Sequence, residues 1–113
     1  MRIGHIELFV RDPLISRVFY ENVVGFELVA VQGSNVWLKL GASEVLLRPG
    51  EPATKTSNYS GTGVVIYTDD LESSAAAMRL RGLRFAGTDG SPKCLTFQDP
   101  DGHWFQLVNP NDH

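Results

Sequence analysis

Three side chains near the start of the sequence have types and spacing that suit binding chemistry: His5, Glu7 and Phe9. Residues 3–10 alternate in polarity as a β-strand does, and this period of two places the three side chains on one face. An imidazole, a carboxylate and a phenyl ring can together hydrogen-bond to a small molecule, balance its charge and stack against its rings. This strand face is therefore a candidate binding surface.

A second group of such side chains lies towards the end of the chain. Trp104 and Gln106 share one face of a predicted strand at residues 104–108, and Tyr67 lies near the end of another at residues 64–68. A cleft lined by aromatic rings and a few polar groups is typical of a small-molecule pocket. The alternative is that these rings only fill the core between two halves of the fold.

The composition argues against several other functions. A net charge of −3 and an isoelectric point near 5.5 disfavour nucleic acid or an anionic membrane as the main partner. The single cysteine, Cys94, cannot form an internal disulfide and fits a reducing compartment, so we expect a cytoplasmic protein. We predict no signal peptide and no membrane span, because Glu7 interrupts the first apolar run.

The elements that must position these residues begin with a β-α-β-β-β unit. After the strand at residues 3–10, Asp12 is placed to cap a helix and Gly25 to end it. Three strands are predicted next, at residues 26–31, 36–40 and 44–48. The helix carries an apolar stripe with the spacing of one buried face, made of Ile15, Val18, Phe19 and Val23.

The same pattern then repeats after a polar linker at residues 50–60. A strand at 64–68 precedes a helix that Asp70 caps and Gly82 ends, and closing strands are predicted at 83–86, 93–97 and 104–108. We therefore predict an α+β fold in which two modules, 1–49 and 61–110, form one domain. Each curved, mostly antiparallel sheet would cover its helix on one face and form half of a cavity with the other.

Several segments resemble one known superfamily. The predicted hairpin LTFQDPDGHWFQLVNP at residues 95–110, His5 in the first strand, and the helix text DPLISRVFYENVVGFELV at residues 12–29 are similar to the vicinal oxygen chelate superfamily. This group contains glyoxalase I, fosfomycin-resistance proteins, bleomycin-binding proteins and extradiol dioxygenases. The resemblance covers nearly the whole chain and implies the paired-module fold.

The resemblance also implies where metal ligands would stand. Metal-dependent members carry one ligand on the first and last strand of each module, and these positions correspond here to His5, Leu46, Gly63 and Gln106. Leu46 and Gly63 have no ligand atom in their side chains. Two arrangements stay open: His5 and Gln106 hydrogen-bond to each other, to a ligand or to water, or they join Glu7 in an improvised site for Zn, Ni, Mn or Fe.

Two kinds of relative set the functional expectations. Glyoxalase I holds its substrate with an arginine four residues after the first ligand, and Phe9 occupies that position here, so this activity is not expected. Bleomycin-binding members lack the metal and hold planar cationic drugs between aromatic rings. Glu7 and Glu44 are placed to balance such a charge, and Arg48, in phase with Leu46, is expected at the cavity rim.

The sequence thus predicts a small-molecule-binding protein with an aromatic-lined cavity and no complete metal site. The expected ligand-binding residues are Glu7, Phe9, Arg48, Tyr67, Trp104 and Gln106. The alternative is a divalent-metal lyase, isomerase or thiol transferase with a degenerate ligand set, so enzymatic activity stays open. We also expect a homodimer, because two-module relatives commonly dimerise and two-fold pairs are the commonest oligomers.

Overall fold

The computed structural model describes residues 1–51, 61–88 and 90–112, and most of the predicted linker (residues 52–60) lies outside this set. The chain divides into two compact units, Met1–Ala53 and Thr54–His113. Each unit has one four-stranded mixed sheet and one main helix, so the predicted α+β fold is confirmed. Among the described residues, no helix has the length and apolar character needed to cross a membrane.

In the first unit the sheet has the strand order β1-β4-β3-β2. The elements along the chain are β1 (Ile6–Val10), α1 (Pro13–Phe19), a π-helical turn (Tyr20–Val24), β2 (Glu27–Gln32), β3 (Asn35–Leu40) and β4 (Ser43–Pro49). β1 and β4 are parallel, and the other two pairings are antiparallel. β1 begins three residues later than predicted, because its ladder with β4 starts where Ile6 pairs with Val45.

Local signals account for the ends of the first helix. The Asp12 side chain accepts a hydrogen bond of 3.0 Å from the Leu14 N–H, and Pro13 occupies the first turn. At the other end Gly25 adopts a φ of 106°, in the left-handed region where a glycine meets no steric penalty. The predicted capping residue and the predicted terminating residue are both confirmed.

The predicted apolar stripe of this helix is wrong in its phase. Ile15 and Val18 are 71% and 53% exposed, whereas the Tyr20 ring is fully buried and Val24 is buried after it. The Tyr20 and Phe26 rings meet edge to face with their centroids 5.4 Å apart. Burying this large ring turns the helix by about one position, or roughly 100°, and leaves the branched residues exposed.

The second unit repeats the strand order of the first, as β5-β8-β7-β6. Its elements are β5 (Gly63–Tyr67), α2 (Leu71–Leu80), β6 (Gly87–Thr88), β7 (Cys94–Gln98) and β8 (Trp104–Val108). The Asp70 side chain accepts a hydrogen bond of 3.0 Å from the Ser73 N–H, which caps α2 as predicted. Again the first and last strands are parallel and the remaining pairings are antiparallel.

The strand predicted at residues 83–86 is not formed. The Leu83 N–H still donates to the Met78 carbonyl at 3.0 Å, so this stretch is used to close the end of α2. Pairing with β7 begins only afterwards, with a 2.7 Å hydrogen bond from the Ala86 N–H to the Thr96 carbonyl. The edge strand β6 is consequently only two residues long.

Each sheet has one buried face and one open face. The buried face of the first unit packs with α1 and carries the apolar residues Leu8, Val10, Val36, Leu38, Val45 and Leu47. In the second unit the rings of Phe97 and Phe105 stack at 5.1 Å on the corresponding face. Because side chains alternate along a strand, the residues between these core positions point to the open faces.

Candidate functional site

The hairpin between β7 and β8 is held by a buried carboxylate. Asp99 is 3% exposed, and its Oδ1 accepts hydrogen bonds from the Asp101 N–H at 3.0 Å and the His103 N–H at 2.8 Å. The Gly102 N–H closes the turn by donating to the Asp99 carbonyl at 3.1 Å. The predicted turn is therefore confirmed, and it sets the point at which Trp104 begins β8.

Strand register brings the predicted residues of the second unit onto its open face. Trp104 pairs with Gly63, and Gln106 pairs with Val65 on one side and with Thr96 on the other. Tyr67 follows on the same face of β5 and is 70% exposed. The structure thus places Trp104, Gln106 and Tyr67 on one face, as the sequence pattern predicts.

A pocket of about 270 Å³ opens beside Trp104 and Gln106. Its wall includes Gly61, Thr62, Gly63, Thr96, Trp104 and Gln106, and it is completed by two apolar residues of the same unit. None of the described residues that line it is ionisable. The described part of the pocket wall therefore offers a ring surface, two hydroxyl groups and one amide, but no charge.

Thr62 and Thr96 are pocket residues that the sequence reasoning missed. Thr96 is only 3% exposed, yet it lines the pocket, because it stands between two core-facing residues, Leu95 and Phe97, on β7. The signal that could have found it is the alternation of β7 itself. A polar residue between two large apolar ones points to the opposite face of the sheet.

The open face of the first unit carries a charged network centred on Glu7. His5 Nε2 lies 2.8 Å from Glu7 Oε2, and Arg48 Nη1 donates to Glu7 Oε1 at 2.8 Å. The hydrogen bond from Arg48, followed by the one from His5, lowers the pKa of the Glu7 carboxyl below its usual range. Both carboxylate oxygens are therefore already engaged by groups of this chain.

Aromatic rings flank this network. The Arg48 guanidinium lies 5.4 Å from the centre of the Phe9 ring, and the His5 ring meets Trp37 edge to face at 4.7 Å. Trp37 pairs with Leu46 in the sheet, as Glu7 does, so the structure assigns Trp37 to the open face. The sequence alone left the face of Trp37 undecided.

Gly50 controls the position of the Phe9 ring. A Cβ atom added at Gly50 would lie 2.8 Å from Phe9 Cδ1, closer than real Cβ contacts allow, and 3.1 Å from Phe9 Cβ, which is a tight contact. The Gly50 N–H also donates to the Val10 carbonyl at 3.0 Å, which fixes the backbone there. Only a residue without a side chain fits against the ring in this arrangement.

The donor set does not fit a resident metal of the superfamily type. On β4 the position that would carry a ligand is Leu46, and on β5 it is Gly63, so neither side chain can coordinate. Glu7, the carboxylate nearest His5, is paired with the Arg48 cation. No group of three or more His, Cys, Asp or Glu side chains that could hold a metal occurs among the described residues.

Solved structures share this architecture over nearly the whole chain. Lactoylglutathione lyase from Agrobacterium tumefaciens matches with a TM-score of 0.74 at 18% identity, over 96% of this chain and 93% of that one. TnmS3, an antibiotic binding protein from a Streptomyces species, matches at 0.73 and 26%, over 97% and 98%. FosX, a fosfomycin resistance protein from Listeria monocytogenes solved with Mn(II) and sulfate ion, matches at 0.74 and 16%, over 96% and 89%.

Sequence comparison gives the family. A comparison with curated protein sequences found no significant match. The model of one superfamily, however, matches residues 2–107, which include the DPDG hairpin, His5 and both helices. The repeated strand order of the two units and the structural matches agree with it. The chain belongs to the Glyoxalase/Bleomycin resistance protein/Dioxygenase superfamily.

Proposed function

We propose that this protein binds a small molecule without a resident metal, as the drug-binding members of its superfamily do. The observation that carries the proposal is the pocket of about 270 Å³ beside Trp104 and Gln106. Its ring wall and convergent hydrogen-bonding groups have the character of a small-molecule site, and its volume lies just below the usual range of about 300–1,000 Å³. Trp104 supplies the stacking surface and Gln106 orients the ligand.

The open face of the first unit supports the proposal. Phe9 is 42% exposed beside the Arg48 guanidinium, so the pair offers a flat surface with hydrogen-bond donors at its edge. Glu7 holds Arg48 in place through their 2.8 Å contact. We assign Phe9, Glu7 and Arg48, together with Tyr67 of the second unit, to ligand binding.

The relatives point in the same direction. TnmS3 is an antibiotic binding protein that matches almost the full length of this chain. Its 26% identity is above the 22% of FosX from Mesorhizobium loti and the 16% of the Listeria FosX that was solved with Mn(II). Binding of a planar compound without metal needs stacking surfaces and hydrogen-bonding groups, which both open faces provide, and it does not use the positions at which this chain has Leu46 and Gly63.

The second candidate is a divalent-metal lyase, isomerase or thiol transferase. One observation favours it, since His5 and Glu7 lie 2.8 Å apart and could offer two donors to Zn, Ni, Mn or Fe. Gln106 would have to supply the third donor, and Arg48 would have to leave Glu7. Taking a carboxylate away from a bound guanidinium costs charge-assisted hydrogen bonding, so we rank this candidate second.

A thermal-shift experiment separates the two candidates. Planar aromatic antibiotics, and separately Mn²⁺, Ni²⁺, Zn²⁺ and Fe²⁺, are added to the wild type and to the Trp104→Ala, Trp104→Phe and His5→Ala variants. We expect a planar compound to raise the Tm of the wild type with or without a chelator. Trp104→Ala should lose this shift and Trp104→Phe should keep most of it, because a phenyl ring preserves part of the stacking surface.

One result would overturn the proposed function. If a divalent metal alone raised the Tm of the wild type, and His5→Ala abolished that rise, a metal centre would be the working part of the protein. The metal content of protein purified without a chelator or an affinity tag provides the independent check, since about one ion per chain would be retained. If the pocket binds its ligand without metal, we expect the purified protein to contain no such ion.

We also propose that the two modules, 1–49 and 61–110, work as one domain and that the protein is a cytoplasmic homodimer. The single cysteine among 113 residues supports a reducing compartment. Exposed apolar side chains on the edge strand β2, such as Val29 and Val31, provide surface that a second copy could cover. A monomer mass measured by light scattering at micromolar concentration would contradict the dimer.

A further inference from the structure

The chemistry of the pocket wall restricts the ligand that it can accept. Thr62, Thr96 and Gln106 supply hydroxyl and amide groups, and Trp104 supplies a ring face. Within the described part of the chain, no Asp, Glu, Lys, Arg or His side chain contributes to this wall. A ligand group that enters the pocket therefore meets hydrogen-bonding partners of both kinds, but meets no opposite charge.

Ion pairs join several charged side chains on the open face of the first unit. Glu7 has one oxygen paired with Arg48 and the other with His5. Lys39 has its ammonium group 3.6 Å from Glu27 Oε2, and its backbone pairs with that of Glu44 in the sheet. Glu7, one of the two carboxylates expected to balance a cationic ligand, is thus already bonded to Arg48 and His5, and the case for a cationic drug loses its main support.

We infer that the pocket takes an uncharged planar ring that carries carbonyl, hydroxyl or amide substituents. The inference rests on the proposed function and names the class of ligand that this same pocket selects. The ring stacks on Trp104, and the substituents exchange hydrogen bonds with Gln106 and Thr96. Gln106 is suited to this task because its amide has both donor and acceptor atoms.

The selection arises from desolvation. An ion that leaves water for a wall without countercharge loses its hydration and regains only neutral hydrogen bonds, so its transfer is unfavourable. A neutral amide or carbonyl loses much less hydration and recovers most of it from the wall. We therefore expect at least about a tenfold difference in affinity between otherwise matched ligands, which corresponds to about 1.4 kcal/mol.

Three isosteric probes test this expectation. 2-Naphthamide, 2-naphthoate and 2-naphthamidine share one ring and a trigonal substituent, and at neutral pH they are uncharged, anionic and cationic respectively. Titration calorimetry of the wild type should show the amide binding at least about tenfold more tightly than either ion. The Trp104 indole N–H signal in NMR spectra should shift on addition of the amide, which would locate the probe at the pocket.

Thr96 provides the matched variant. Thr96→Val keeps the shape of the side chain and removes its hydroxyl, so the variant should bind 2-naphthamide several-fold more weakly than the wild type does, while the amide stays preferred over the two ions. Thr88→Val is the control, because this exposed threonine belongs to the same sheet and does not line the pocket. It should bind all three probes as the wild type does, and circular dichroism checks that both variants fold.

The outcomes separate this inference from the proposed function. Tightest binding of the naphthamidine or of the naphthoate would overturn the inference and leave the pocket standing as a small-molecule site. Failure of all three probes to bind at millimolar concentration would also overturn the inference. A Tm increase caused by divalent metal alone, and lost in His5→Ala, would overturn the proposed function itself.

Discussion

Arg48 Nη1 lies 2.8 Å from Glu7 Oε1 and joins the last strand of the first unit to its first strand. The contact is specific to the register, because Arg48 pairs with Phe9 and reaches diagonally back to Glu7. Through this contact the Glu7 carboxylate, which also contacts His5, forms an ion pair with Arg48. A cation, whether metal or drug, would have to compete with this guanidinium for the Glu7 carboxylate.

The ion pair predicts the ionisation of Glu7. Its hydrogen bonds from Arg48 and then His5 lower its pKa, so we expect a carboxyl titration in ¹³C NMR below about 4.3, the ordinary value for glutamate. Because the folded-state pKa is depressed, the stabilising contribution is complete above the unfolded-state pKa. It is lost as the pH falls through the folded-state pKa, and is independent of pH near neutrality.

Arg48→Gln should return the Glu7 pKa towards its ordinary value. Lys39→Gln is the control, since Lys39 is on the same open face but is paired with Glu27. It should leave the titration of Glu7 almost unchanged. An equal shift in both variants would mean that the general field of the face, and not the contact with Arg48, determines the pKa of Glu7.

Gly50→Ala should disturb the Phe9 ring. The new Cβ atom would meet Phe9 Cδ1 at 2.8 Å, and overpacking of this kind typically costs about 1–3 kcal/mol of unfolding free energy. Chemical denaturation measures the loss. Gly4→Ala is the control, because nothing lies within 4 Å of a Cβ atom at that position, and its effect should be small.

A double-mutant cycle tests the cause of that loss. In a Phe9→Ala background the clash partner is gone, so Gly50→Ala should become much less destabilising. The coupling energy between the two substitutions should then account for most of the single-mutant effect. Additive effects would show that Gly50 acts through its own backbone and not through the ring.

Asp99→Ala should destabilise the hairpin that leads into β8. The substitution leaves the N–H groups of Asp101 and His103 without their side-chain partner, and a buried unsatisfied donor costs about 1–3 kcal/mol. Asp99→Asn keeps an oxygen at the same place and should lose less. Equal loss of unfolding free energy in the two variants would argue that the negative charge matters more than the acceptor geometry.

The sequence predicts the framework of this fold well because its signals are local. Asp12, Gly25, Asp70 and the DPDG turn act within a few residues, and each does what its chemistry dictates. The phase of α1 was missed because burial of the single large Tyr20 ring outweighs a stripe of branched residues. The prediction of a strand at 83–86 is wrong because the first residue of that stretch, Leu83, is used to close the end of α2.

The predictions for the candidate site also succeed where the signal is local and fail where it is not. Alternation along one strand was enough to place Trp104 with Gln106, and Glu7 with Phe9. The contact between Glu7 and Arg48 and the face of Trp37 depend on how separate strands pair. Register is set by turns and by packing at a distance, so no pattern within a single strand contains it.

The corrected phase of α1 predicts an unequal pair of substitutions. Tyr20→Ala should lower the unfolding free energy by about 3–5 kcal/mol, as removal of a buried aromatic ring does. Ile15→Ala, on the exposed side of the helix, should change it by no more than about 0.5 kcal/mol. Urea denaturation measures the unfolding free energy of the two variants. A larger loss in Ile15→Ala than in Tyr20→Ala would support the apolar stripe that the sequence predicts.

Gln106→Glu should reverse the charge preference of the pocket. The substitution adds a carboxylate to a wall that has no ionisable group among its described residues. It should weaken binding of 2-naphthamide and strengthen binding of 2-naphthamidine, because the amidinium now finds a partner for a charge-assisted, bidentate hydrogen bond. We expect the ratio of the two affinities to change by at least about tenfold, measured by calorimetry at neutral pH.

Gln106→Met separates the new charge from the lost amide. This variant is similar in length and uncharged, so it should weaken 2-naphthamide binding without any gain for 2-naphthamidine. A gain for the cation in Gln106→Glu alone would identify the carboxylate as its cause. If Gln106→Glu left both affinities unchanged and instead acquired a Mn²⁺-dependent increase in Tm, position 106 would face a metal site and not a ring-binding pocket, and the neutral-ligand assignment would fail.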